Sequence, residues 1–125
     1  GKCSEGWYFS PTVIENLPQN SILNQEEIFG PVVTLTEFNN EEDAIKMAND
    51  TEYGLASIIW TENVKRAHKL AEVVESGLVW INCWLERDLR TPFGGIKNSG
   101  FGKEGGRYAI DFFTEAKNVC IKYYD

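Results

Sequence analysis

The sequence predicts an α/β fold built on parallel strands, and three observations carry that prediction. Runs of β-branched and large apolar residues recur at 32–38, 56–60 and 78–82. Between them lie two stretches whose apolar residues repeat at helical spacing. The links are short, so each helix can serve as the crossover that a parallel strand pair requires. The order strand, helix, strand, helix, strand is a βαβαβ unit.

Residues 1–24 open irregularly. Gly1-Lys2-Cys3 has neither a helix cap nor an initiator methionine and reads as a chain entered in its middle, or as a tag remnant. Gly6 and Pro11 bracket Trp7-Tyr8-Phe9, an aromatic run suited to a strand. Thr12-Val13-Ile14 suits a second strand, ended by Asn16 and Pro18. The run at 32–38 alternates apolar residues with threonine and glutamate, which is strand chemistry. Asn39 or Asn40 then caps a helix whose first turn carries Glu41, Glu42 and Asp43, where the helix dipole favours negative charge. Ala44, Ile45 and Ala48 give it an apolar face, with Met47 at the edge, and Tyr53-Gly54 closes the connection.

The run at 56–60 is short and largely apolar, so a buried strand is expected there rather than a half-exposed one. Thr61 is placed to cap the next helix, in which Val64, Ala67, Leu70, Ala71 and Val74 share a face. Gly77 is expected to stop that helix in a left-handed conformation. The third run ends on the polar Asn82. Beyond Gly95 the glycine density rises, a short helix is expected over 107–113, and residues 119–124 alternate like an exposed strand. Such a strand is an association hazard unless something covers it.

At 125 residues, 42% hydrophobic and 25% charged, the chain has the composition of an ordinary globular domain or part of one. Its net charge of −7 and its scattered cations argue against a nucleic-acid or anionic-membrane surface. No apolar run is long enough to span a bilayer and no signal peptide is visible, so a cytoplasmic setting is expected. Cys3, Cys83 and Cys120 lack metal-ligand spacing and His68 is the single histidine, so no metal site is expected. The thiols are expected to be reduced and mostly buried, and His68 to lie at the surface or its boundary.

Two stretches carry chemistry. Gln25-Glu26-Glu27-Ile28-Phe29-Gly30-Pro31 sets two acids and an aromatic on a Gly-Pro turn at the mouth of the first regular strand. A scaffold fixes such side chains while the loop leaves them open to ligands. The second is the loop 83–95, which leaves the carboxyl end of a strand, where α/β sheets bind ligands. Gly100-Phe101-Gly102-Lys103-Glu104-Gly105 matches the literal spacing of a dinucleotide fingerprint. It lacks the preceding strand and the acid about twenty residues further on, so it reads as a glycine-rich turn.

The first stretch resembles the EEIFGP signature of the aldehyde dehydrogenases, and Pro92-Phe93-Gly94-Gly95-Ile96-Lys97-Asn98-Ser99-Gly100 resembles the same family's PFGG-K-SG signature. The two stand in the family's order, and the resemblance runs from about Gly6 to the end. It implies an NAD(P)+-dependent oxidation of an aldehyde through a cysteine thioester. Residues 1–113 would be the later part of the catalytic domain, and 114–125 a terminal strand that joins an intersubunit sheet in a homo-oligomer. No catalytic residue is expected in this chain: Asn82-Cys83 matches a segment at a strand end, and the family's nucleophile and general base lie upstream. The resemblance implies that Glu27 holds the nicotinamide ribose, that Phe29 packs near the nicotinamide, that Glu26 supports the turn, and that Phe93 lines the aldehyde tunnel. The loop Trp84-Leu85-Glu86-Arg87-Asp88-Leu89-Arg90 departs from the smaller, more apolar loops of many members and resembles the branch acting on 2-aminomuconate or 2-hydroxymuconate semialdehyde. Arginine's rigid fork suits a carboxylate, so Arg87, and secondarily Arg90, are candidate ligands for an acidic substrate. A surface ion pair to Glu86 or Asp88 is the alternative. The competing function is a non-catalytic remnant of the same fold that binds a partner.

Overall fold

Alternation decides the first strands. In β1 (Thr12–Glu15) and β2 (Val32–Leu35), successive side chains are half-buried and exposed in turn, so Ile14 and Thr34 point inward while Val13, Val33 and Leu35 face out. The two strands pair in parallel, Thr12 opposite Val32 and Glu15 opposite Leu35. The connection holds a single short helix, α1 (Ile22–Gln25), capped by the Ser21 hydroxyl, which accepts from the Leu23 N–H at 3.3 Å. After β2 comes α2 (Glu41–Asn49). Asn40 is its cap, accepting the Asp43 N–H at 2.9 Å, and Glu41, Glu42 and Asp43 occupy its first turn as expected.

These elements belong to one of two units, Gly1–Glu52 and Tyr53–Asp125, and the computed structural model describes residues 5–124. In the second unit β3 (Tyr53–Gly54) pairs antiparallel with β6 (Ile96–Lys97). A complete βαβ follows, with β4 (Ala56–Ile59), α3 (Val64–Val73) and β5 (Leu78–Ile81), its strands parallel with Ala56 opposite Leu78. Helix α4 (Gly106–Phe113) lies beyond the glycine-rich turn. The α/β class and its parallel pairing are therefore as expected. The hydrogen-bonded partners are β1 with β2 and β4 with β5, so the expected run of strands is divided between two parallel pairs. Among the described residues the buried hydrophobic side chains are Ala67 of α3 and Trp80 of β5.

Several local expectations are corrected. Trp7, Tyr8 and Phe9 form no strand and are exposed. Thr61 does not cap α3. Asn63 does, its side chain accepting the Arg66 N–H at 3.0 Å; the Thr61 hydroxyl accepts the Asn63 N–H at 3.2 Å instead, and the Thr61 main chain is held by Asn82 through Thr61 N–H to Oδ1 and Asn82 Nδ2 to Thr61 O, each 2.8 Å. Helix α3 ends at Val74 in an extended conformation, before Gly77 is reached. Gly77 serves packing instead: a Cβ there would overlap the carbonyl oxygen of Gly94. Residues 119–124 form no hydrogen-bonded strand, and Val119, Ile121, Tyr123 and Tyr124 are exposed. Cys83 is half-buried and Cys120 exposed, so the expectation of buried thiols fails for both; Cys3 lies outside the described residues. His68 is exposed. No helix among the described residues is long and apolar enough to cross a membrane.

Candidate functional site

In the first unit the acidic turn is fastened by amide side chains that bond to backbone. Gln25 Nε2 donates to the Gln19 and Asp50 carbonyls, both at 2.9 Å, and so ties the end of α1 to the end of α2. Gln19 Nε2 donates to the Met47 carbonyl at 3.0 Å, and Asn24 Nδ2 to that of Pro18 at 3.0 Å. Glu26 closes α1 through its N–H to the Ile22 carbonyl at 2.9 Å. The chain then bends tightly, Val32 N–H to Gly30 O at 2.8 Å, and Thr12 N–H to Pro31 O at 2.9 Å anchors it to β1.

Glu27 and Phe29 project from this turn. Glu27 is exposed and makes no hydrogen bond or ion pair with a described residue, and Phe29 is 96% exposed. Both line a cleft of about 400 Å³ with Leu23, Gly30 and Thr34. A carboxylate with both oxygens unspent can accept two neighbouring hydroxyls side by side. A bare phenyl face beside it can pack on a planar ring. Gln25 and Gln19 were not singled out from the sequence. An amide directly before the acid pair was the available signal, but its acceptors lie up to 25 positions away.

In the second unit Arg87 and Phe93 come together, and Arg90 stands apart from them in its bonding. The Arg87 guanidinium lies 4.1 Å from the centre of the Phe93 ring, a cation–π stack, and its Nη2 donates to Glu104 Oε1. Phe93 and Glu104 are also joined main chain to main chain, each N–H donating to the other's carbonyl at 2.8 Å. Arg90 is bound to Asp88, Nε lying 2.9 and 3.0 Å from the two carboxylate oxygens. That pair holds the Asp88 carboxyl below its ordinary range and raises Arg90. Arg90 Nη2 and Asp88 also form an ion pair on a guanidinium side chain that is 88% exposed.

The rest of the loop is pinned to the strands. Trp80 Nε1 donates to the Glu86 carbonyl at 2.8 Å, and the Trp80 and Trp84 rings meet edge to face at 5.6 Å. Lys103 Nζ donates to the carbonyls of Gly94 and Gly95, the latter at 2.8 Å, and so holds the turn that carries Phe93. Gly105, at φ 91°, is in the left-handed region, and a Cβ on it would overlap the Thr91 carbonyl oxygen. A cavity of about 380 Å³ opens beside Phe93, bounded by Leu55, Lys103, Glu104 and Phe112. No cluster of His, Cys, Asp and Glu suited to a metal ion occurs among the described residues.

Residues 1–119 match the model of the aldehyde dehydrogenase family. A 2-hydroxymuconic semialdehyde dehydrogenase of Pseudomonas putida is 52% identical over 117 residues, which are 94% of this chain and 24% of that protein. The human 2-aminomuconic semialdehyde dehydrogenase is 48% identical over 118 residues, again 94% of this chain and 24% of that protein. The chain thus spans about a quarter of the length of the curated relatives it matches. Among solved structures, an NAD+ complex of an aldehyde dehydrogenase from Bacillus cereus superposes with a TM-score of 0.89 at 42% identity, covering 94% of this chain and 24% of that one. An NAD+ complex of the Mycobacterium tuberculosis aldehyde dehydrogenase gives 0.83 at 42% identity, over 88% of this chain and 23% of that one.

Proposed function

The chain belongs to the aldehyde dehydrogenase family, and from that premise we propose that it is part of an NAD(P)+-dependent enzyme that oxidises a carboxylated semialdehyde to the acid. The nearly 50% identity to muconic semialdehyde dehydrogenases supports the substrate class. Glu27 accepts the ribose hydroxyls and Phe29 packs beside the nicotinamide, which when bound supplies the two-electron acceptor. Accurate placement of that ring matters because hydride transfer needs near-contact geometry. Phe93 lines the path of the aldehyde, and Arg87 receives the substrate's carboxylate, with Arg90 as a weaker second. The cysteine that forms the thioester and the glutamate that activates water for its hydrolysis lie outside these 125 residues. The setting is cytoplasmic, and residues 114–125 join a second copy of the chain in a homo-oligomer.

The observation that carries the substrate reading is the Arg87 guanidinium stacked at 4.1 Å on the ring that would line the tunnel. Hydrogen bonds to charged groups contribute about 1.5–3 kcal/mol, roughly ten- to hundredfold in kcat/KM. In the whole enzyme, Arg87→Ala should cost that much on 2-hydroxymuconate semialdehyde and little on hexanal. Arg87→Lys should recover only part, because an ammonium cannot make the two-pronged contact. Equal losses on both aldehydes would refute the carboxylate assignment.

A further inference from the structure

We infer that Glu104 is a positioning residue: it sets the preference for carboxylated over neutral aldehydes by holding the Arg87 guanidinium over Phe93. This rests on the proposed role of Arg87. Free arginine side chains explore many rotamers, and a carboxylate that binds one must pay for its ordering. Here the ordering is already done. One guanidinium nitrogen donates to Glu104, and the guanidinium carbon lies 4.1 Å over the centre of the Phe93 ring, a contact that spends no donor. Guanidinium carries five N–H groups in a fixed fork, so an edge remains for a second carboxylate.

Glu104 is well suited to this work because its backbone is itself tied to Phe93 by two hydrogen bonds of 2.8 Å. Ring, carboxylate and guanidinium therefore share one frame, and substitution of the Glu104 side chain leaves the main-chain bridge in place. An opposing effect must be weighed, since a second carboxylate also repels the substrate's. Both members of the ion pair are solvent-accessible, Arg87 at 37% and Glu104 at 60% of the side chain, so water screens that repulsion. Orientation wins over repulsion on this count.

The test is a double-mutant cycle in the whole enzyme, read as the ratio of kcat/KM for 2-hydroxymuconate semialdehyde to that for hexanal, so that losses common to both substrates cancel. Glu104→Ala should lower the ratio by about three- to tenfold, and adding it to Arg87→Ala should lower the ratio no further. Glu104→Asp keeps the charge but shortens the reach, and should also lower the ratio; it serves as well should the alanine variant fail to fold. An unchanged or raised ratio in either Glu104 variant, beside a lowered one in Arg87→Ala, overturns this inference and leaves the substrate reading intact. So does additivity in the double variant. A ratio unmoved by Arg87→Ala overturns both, because Glu104 then has nothing to orient.

Discussion

At the Glu27 turn the side chains proposed to meet a ligand make no hydrogen bond or ion pair with a described residue, whereas in the 83–95 loop the side chains proposed for that role also hold the loop together. The first arrangement works because the fastening is delegated. Gln25, Gln19 and Asn24 bond to carbonyls beneath the turn, and Glu27 and Phe29 are left with their full bonding capacity. In the second, Arg87 and Arg90 are bound to Glu104 and Asp88, and Phe93 is covered on one face by a guanidinium. The lesson concerns how stability and function separate. Where fastening and recognition are done by different residues, a substitution should alter one and spare the other. Where one residue does both, the two should change together.

This difference predicts the clearest separation of rate from stability at Glu27. In the whole enzyme Glu27→Gln should slow single-turnover NADH formation about tenfold, the loss of one charged hydrogen bond to the ribose. Its unfolding midpoint in urea should stay at the wild-type value, because the carboxylate makes no hydrogen bond or ion pair with a described residue. Arg87→Ala, by contrast, should lower that midpoint as well as the activity on the carboxylated substrate. A destabilised Glu27→Gln, or an unchanged rate of NADH formation, would erase the distinction between the two regions.

The converse substitution comes next. Gln25→Ala removes the donor to two carbonyls, neither of them in a sealed interior, so water can replace much of the loss. Stability should fall by about 1 kcal/mol, and binding of NAD+ should weaken as the turn loosens. Calorimetric titration with the cofactor alone checks the second part. Unaltered cofactor affinity with lowered stability would mean that the turn holds its shape without Gln25.

What was legible in the sequence follows the range of the interactions. Strand alternation at Val32-Val33-Thr34-Leu35 and the Asn40 cap are local, and both could be read directly. The α3 cap falls on Asn63 rather than Thr61, whose hydroxyl accepts the Asn63 N–H while its main chain is fixed by Asn82, 21 positions on, a contact that nothing in the local pattern discloses. Gly77 suggests a left-handed helix stop in sequence, but the demand for a missing side chain there comes from Gly94 across the fold and not from a helix end. Arg87 shows the same limit at the site. Its neighbours Glu86 and Asp88 were the partners visible in sequence, yet its ion pair is with Glu104, 17 positions away. For Arg90 the near partner, Asp88, is the one it has. Residues 119–124 have the alternation of a strand, and a strand needs a second edge that the described residues do not supply.

The smallest expected effect is at Arg90, and it tests how far the engaged state of the loop limits recognition. To meet a substrate, the Arg90 guanidinium must first leave Asp88, with which it makes hydrogen bonds of 2.9 and 3.0 Å. The pair is exposed, so it exchanges readily with water and has little hold on stability. Arg90→Ala should therefore lower the preference for carboxylated aldehydes by about twofold or less. Asp88→Asn should raise that preference slightly, because it frees the guanidinium without removing it. The pH dependence has a definite sign. Arg90 lowers the Asp88 carboxyl below its ordinary value, so the pair's contribution is complete above the ordinary value and is lost only as pH falls through the lowered one. Between about pH 5 and 8 the pair should add no slope to either stability or substrate preference. A preference that Asp88→Asn leaves untouched, together with an inert Arg90→Ala, would make this pair a surface contact and confine recognition to Arg87.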